Sequence, residues 1–147
     1  MPYEFKVTRR VEFSETDMAG IMHYSNYFRF METAEHAFYR ALGFSVVSQN
    51  IDPPIGFPRV HAECDFKKPL RFEDLVEIHL LVREKKSKSI TYSFRFGKVS
   101  AAAVENVAQG IVTVVCVTRN SNGDMSAVPI PAAIADKIEV APREIVG

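Results

Sequence analysis

Ser25-Asn26-Tyr27-Phe28-Arg29-Phe30-Met31-Glu32-Thr33-Ala34-Glu35-His36-Ala37-Phe38-Tyr39-Arg40-Ala41-Leu42, followed by Gly43, carries the pattern on which the fold turns. Tyr27, Phe30, Met31, Ala34, Ala37, Phe38, Ala41 and Leu42 recur at steps of three and four residues, the spacing of one helix face. Gly43 supplies the stop. The polar side is narrow, made of Arg29, Glu32, Glu35, His36 and Arg40, while Phe28 and Tyr39 fall outside the main stripe. Most of this helix is therefore expected to touch protein, as a helix does when it lies in the curve of a sheet.

The flanking sequence supplies that sheet. Residues 3–13 alternate apolar and polar side chains and read as a first strand, and extended segments are expected near 59–70, 75–86, 89–97 and 105–119. Lys85-Lys86-Ser87-Lys88 and Gly97-Lys98-Val99-Ser100 look like hairpin tips, which predicts sequential antiparallel pairing of these strands. The prolines and glycine of residues 50–58 make a linker, Ala101-Ala102-Ala103 is too short to be read as a helix, and Pro131 to Val140 suggests a short surface helix. The sum is an α+β domain with one long helix packed on an antiparallel sheet. Open sheet edges and the run Ile111-Val112-Thr113-Val114-Val115-Cys116-Val117, apolar on both phases, predict self-association to at least a dimer.

At 147 residues the chain reads as a single domain over 1–147. Its 18 basic and 18 acidic residues cancel, so no global field argues for nucleic acid. Charges in Met1-Pro2-Tyr3-Glu4-Phe5-Lys6 interrupt any signal-like core and no run is long enough to span a membrane, so a cytoplasmic location is expected with no membrane partner. Cys64 and Cys116 sit in apolar segments and read as reduced, buried thiols.

The chemistry is expected just before the helix, in Thr16-Asp17-Met18-Ala19-Gly20-Ile21-Met22-His23-Tyr24-Ser25-Asn26-Tyr27. A carboxylate among so many apolar side chains should be partly desolvated, Gly20 permits a sharp turn, and Ser25-Asn26 offers capping oxygens where the helix begins. Free amide hydrogens at a helix start stabilise an oxygen that becomes negative. Asp17 beside them points to acyl hydrolysis, by activation of water or by direct attack. A carboxylate is a weak base at neutral pH, so the substrate should bring a good leaving group, and a thioester does. No G-x-S-x-G elbow or glycine-rich phosphate loop is present, and the Glu35-His36 neighbours diverge around the helix rather than converging on a metal.

Asp17-x-x-Gly20-Ile21-x-x-Tyr24-x-Asn26-Tyr27, with Cys64-Asp65-Phe66-x-x-Pro69-Leu70-x-x-x-Asp74-x-Val76-x-Ile78, Ala108-x-Gly110 and Val128-Pro129-Ile130-Pro131, resembles the 4-hydroxybenzoyl-CoA thioesterase family. The resemblance implies a hotdog fold, a long helix wrapped by a five-stranded antiparallel sheet, paired into homodimers or homotetramers with acyl-CoA sites between subunits. It implies that Asp17 is the catalytic carboxylate and that the thioester oxygen meets the backbone N–H of Tyr24, with Gly20, His23, Asn26 and Tyr27 shaping the substrate entrance. No cofactor is implied beyond the coenzyme A of the substrate. His23 stands beside the position where many bacterial members carry histidine. Lys67, Lys68, Arg71, Lys85, Lys86 and Lys88 are candidates for the coenzyme A phosphates or for plain surface charge. Two rival readings share the fold: a non-catalytic acyl-CoA or acyl-carrier binding protein, and a 3-hydroxyacyl thioester dehydratase using His23 with Asp17.

Overall fold

A computed structural model of the chain describes residues 2–46 and 53–147. The helix forms where the spacing places it: α1 runs Ser25–Ala41. Gly43, at φ +96°, ends it. The Gly43 N–H donates to the Arg40 carbonyl and the Phe44 N–H to the Tyr39 carbonyl, with the Phe44 ring 5.1 Å from that of Tyr39. That is a Schellman stop with its hydrophobic contact.

Strands β1 (Glu4–Arg10), β2 (Ile55–Gly56), β3 (Arg59–Phe66), β4 (Leu75–Lys85), β5 (Ser89–Val99), β6 (Val104–Val115), β7 (Val117–Arg119) and β8 (Met125–Ala127) follow one another. Five of them form one antiparallel sheet in the order β1-β4-β5-β6-β3, and β2, β7 and β8 form a second, small sheet. This is the α+β hotdog arrangement, with α1 against one face of the five-stranded sheet. Two short helices close the chain, α2 (Ala132–Ala135) and α3 (Arg143–Val146), the former shorter than the helix expected over 131–140 and the latter unexpected.

Several local expectations need correction. The first strand stops at Arg10 and gives way to a 3₁₀ turn, Phe13–Glu15. The second hairpin tip lies at residues 100–103, where the Ser100 N–H donates to the Ala103 carbonyl, while Gly97 is inside β5. The segment 105–119 breaks at Cys116, and the linker contributes β2; Asn50, Ile51 and Asp52 lie outside the described residues. Most consequential, β3 does not pair with β4. It crosses to the far edge and pairs with β6, Cys64 opposite Gly110. The crossing covers three strand spacings, about 14 Å, and residues 67–74 reach up to about 26 Å when extended. β3 suits an edge because His61, Glu63 and Asp65 load one face with charge and polarity, Arg59 being turned to the other face by the register shift between Arg59 and His61, whereas β4 and β5 need neighbours on both sides.

The core lies between α1 and the inner sheet face. Phe30, Met31, Ala34 and Phe38 are buried with Ile78, Leu80, Tyr92, Phe94, Phe96, Ala108 and Val114. Gly110 sets how closely helix and sheet approach: a Cβ there would stand 2.2 Å from the Met31 Cε and 2.9 Å from the Glu63 carbonyl oxygen. The methionine can bend away but the carbonyl belongs to the paired strand. Gly110→Ala is therefore expected to cost about 1–3 kcal/mol by overpacking, a fall of several degrees in thermal midpoint. A melting curve unchanged from wild type would contradict this close approach.

Candidate functional site

The loop before α1 is a short hairpin. Thr16 bridges Met22, the Asp17 N–H donates to the Ile21 carbonyl at 3.0 Å, and the Gly20 N–H donates to the Asp17 carbonyl at 2.9 Å. Gly20 sits at φ +81°, where a side chain would be strained. One oxygen of the Asp17 carboxylate accepts the Ala19 N–H at 2.9 Å. The expectation that Asp17 is partly desolvated is not met within one chain: Asp17 is exposed, as are Met18 and Tyr24. Met18 and Ala19 face solvent, Ile21 is half-buried and Met22 turns into the core, so none of them closes over the acid.

The hairpin is pinned to the helix through Glu15. Its carbonyl accepts the His23 N–H at 2.8 Å and the Asn26 side-chain amide at 2.8 Å. Its carboxylate accepts Arg9 at 2.9 Å and the Glu12 N–H at 2.8 Å. Arg9 in turn lies 4.2 Å from the Phe30 ring centroid. A second tie comes from residues 67–74, because the Met22 N–H donates to the carbonyl of buried Leu70 at 2.7 Å. Sequence reasoning does not single out Arg9 and Glu15. The available signal is a cation on the inward phase of β1, after Phe5 and Val7.

At the start of α1 these ties leave one donor over. Ser25, Asn26 and Tyr27 all direct their N–H groups to partners, Ser25 to the His23 ring nitrogen Nδ1 at 3.3 Å, Asn26 to the His23 carbonyl and Tyr27 to the Tyr24 carbonyl. Among the described residues the Tyr24 N–H has no hydrogen-bond partner. It stands at the entry of α1, where the positive end of the helix dipole adds to it. The Tyr24 side chain is exposed and stacks on His23 with ring centroids 4.6 Å apart.

The other expected site residues take structural positions. His23 works as a cap: Nδ1 lies 2.8 Å from the Ser25 hydroxyl and accepts the Ser25 N–H, which puts the ring proton on Nε2 in the neutral form. Asn26 is buried and spends its amide on Glu15. Tyr27 is buried edge-on against Phe66 and Phe96. Burial first, and Cys64 second, push its hydroxyl up to about 12, so it stays protonated at any working pH. Cys64 is half-buried and its thiol is likewise pushed up to about 12 by burial, which makes it a poor nucleophile. Of the six candidates for phosphate contact, Lys68 pairs with Glu105, Lys85 donates to the Ala135 and Ile138 carbonyls, and Lys86 lies 3.6 Å from Glu84.

Beside the helix start runs a groove of about 280 Å³, between the flank of α1 and β3. Phe28, Met31, Ala62, Phe94 and Val112 line it with Arg29, Glu32, Glu35 and Arg59. Glu35, expected on the polar side, is in fact buried: Arg59 reaches over from β3 to pair with it, and Tyr39 donates to it at 3.4 Å. A larger hollow of about 400 Å³ lies on the outer sheet face among Glu63, Asp65, Arg83, Arg95 and Gln109, on the side of the sheet away from α1.

The sequence profile of the Thioesterase-like superfamily matches residues 11–138, a span that takes in the hairpin, α1 and strands β3, β4, β5 and β6 of the main sheet. The chain belongs to the Thioesterase-like superfamily. Within it, the chain is 37% identical to a structurally determined gentisyl-coenzyme A thioesterase, covering 91% of this chain and 98% of that one with a TM-score of 0.73. It is 32% identical over 82 residues to a 1,4-dihydroxy-2-naphthoyl-CoA hydrolase of Parasynechococcus marenigrum, spanning 51% of this chain and 54% of that protein. The 4-hydroxybenzoyl CoA thioesterase of Pseudomonas sp. strain CBS-3 shares the fold at a TM-score of 0.82, with 22% identity over 92% of this chain and 99% of that one. No helix among the described residues of this thioesterase-family chain is long and apolar enough to cross a membrane.

Burial raises Glu35 above the ordinary carboxylate range, against the opposing pull of Arg59. A raised folded-state value contributes stability that is complete below the unfolded value, ~4.3, and is lost as pH climbs through the folded one. Glu35→Gln does not titrate there. Its melting temperature should therefore gain on that of wild type as pH rises above the ordinary carboxylate range, and a difference independent of pH, or shrinking, would contradict the raised direction.

Proposed function

We propose that this chain hydrolyses the thioester of an aromatic acyl-CoA to the free acid and coenzyme A. The observation that carries this reading is the unpartnered Tyr24 N–H at the start of α1, next to a hairpin that presents the Asp17 carboxylate to solvent. The amide would bind the thioester oxygen as it becomes negative, a contribution of the oxyanion-hole kind. Asp17 would attack the carbonyl carbon, giving an anhydride that water opens, or take a proton from water as it attacks. Either route expels the coenzyme A thiolate and needs no cofactor. The aromatic preference is supported by the gentisyl-coenzyme A thioesterase at 37% identity and by the mainly apolar groove beside the helix start. Gly20, His23, Asn26 and Tyr27 would serve by positioning: the turn, the cap, the tie to Glu15 and the packed ring. A cytoplasmic location, where coenzyme A esters and reduced thiols coexist, goes with this activity.

The same reading includes a homodimer. Among the described residues β3 presents its outer edge unpaired, with Val60 and Phe66 both exposed, and pairing with a second copy would extend the sheet and cover the groove. Light scattering should then give twice the chain mass or a multiple of it, and a stable monomer at working concentration would remove the between-subunit site.

Asp17→Asn tests the chemistry. Asparagine keeps the oxygen that accepts the Ala19 N–H, so the hairpin should survive. Thiol release from benzoyl-type CoA esters is expected to fall about 10²–10⁴-fold with the melting temperature preserved. A variant that retains full turnover would exclude Asp17 as base or nucleophile. Tight binding without turnover by the wild type would favour a carrier role instead.

A further inference from the structure

We propose that Arg59 is a latch that sets the length of acyl group the groove accepts, its guanidinium bridging from β3 to α1 and closing the groove at the end away from the Asp17 hairpin. The inference rests on the reading that this chain binds acyl-CoA.

The direction of the groove follows from contacts at its two ends. Near the helix start, Phe66 of β3 packs on Tyr27 with ring centroids 4.9 Å apart. Two turns further along α1, Arg59 at the other end of β3 pairs with Glu35. The strand therefore runs antiparallel to the helix, and the groove between them leads from Phe28, in the first turn of α1, toward Arg59. From Phe28 to Glu35 the helix rises about 10 Å. An extended chain advances roughly 1.2 Å per bond, a third of the residue repeat, so the closed groove holds an acyl group of about eight bonds.

Arg59 is held in place rather than loose. One guanidinium nitrogen donates to the Phe57 carbonyl at 3.1 Å, and the other pairs with Glu35 and lies 3.6 Å from Glu32. Glu35 has 2% of its side chain exposed and is backed by Tyr39, whose hydroxyl lies 2.8 Å from that of Tyr92. Arg59 is the counter-charge of buried Glu35, and the same side chain lines the mainly apolar groove. Its place suits a stop: a methylene chain that reaches the guanidinium must either end there or displace a partnered cation.

The test uses non-hydrolysable S-alkyl-CoA thioethers from four to sixteen carbons, with binding followed by calorimetry. In wild type the dissociation constant should fall about fourfold per methylene up to roughly eight carbons and then rise. Arg59→Ala is combined with Glu35→Gln so that no buried carboxylate is left unpaired, and Glu35→Gln alone, which frees the guanidinium from its main anchor, is the second variant. Both should shift the optimum to longer chains, the double variant more, with the ratio of fourteen-carbon to eight-carbon dissociation constants dropping at least about tenfold. An optimum at the same length in all three proteins overturns the latch. Failure of wild type to bind any thioether overturns the latch and the acyl-CoA reading together, and because the ladder reads binding alone, loss of turnover by itself touches only the hydrolase assignment.

Discussion

The site depends on one residue that does no chemistry. Glu15 takes a guanidinium from β1 with its carboxylate and two donors from the start of α1 with its carbonyl. Hydrogen bonds to charged groups contribute about 1.5–3 kcal/mol each, and partial exposure of Arg9 and Glu15 puts this pair toward the lower end. The mechanical result matters more than the energy. A strand, a hairpin and a helix N-terminus are fixed to one another within a few residues, and the path that the chain must then take through His23 leaves the Tyr24 N–H without a protein partner among the described residues. An orphan donor at a helix start is normally satisfied by a cap or by water. Here the cap, His23 Nδ1, serves Ser25 instead of the Tyr24 amide.

Glu35 and Arg59 embody a different compromise. Burying a carboxylate costs free energy that a single guanidinium offsets only in part, and the raised value of Glu35 records the deficit. Tyr39 and Tyr92 extend the network into the core, and every buried side-chain polar atom among the described residues has a partner. Apolar pairs of similar volume are often at least as stable as a buried ion pair. What the ion pair supplies is a bridge across the gap between α1 and the edge strand, where the sheet alone leaves the helix flank uncovered.

Much of this is legible in the sequence, and the failures have physical causes. Helix α1 and its Gly43 stop can be read because periodicity and cap chemistry agree over the whole element. The strands are legible as strands, but β3 is given the wrong neighbour: adjacency in sequence favours the short turn, and nothing local reports that β4 and β5 are too apolar to give up a flank to a strand as charged as β3. Glu35 looks like a solvated helix residue because its partner, Arg59, is supplied by a strand beyond a proline-rich linker. Asp17 falls in the hairpin as expected, yet its apolar neighbours, which in sequence suggest a wall around it, divide between solvent, where Met18 stands, and the core, which takes Met22.

The most direct test is a crystal structure of the Asp17→Asn protein with an aromatic acyl-CoA bound. The thioester oxygen is expected about 2.7–3.1 Å from the Tyr24 nitrogen, with the acyl group lying between Phe28 and Ala62 and the substituted side chain at position 17 facing the carbonyl carbon. A thioester bound elsewhere, such as in the polar hollow on the outer sheet face, with the Tyr24 N–H still unengaged, would contradict the assignment of that amide and of Asp17 to the reaction.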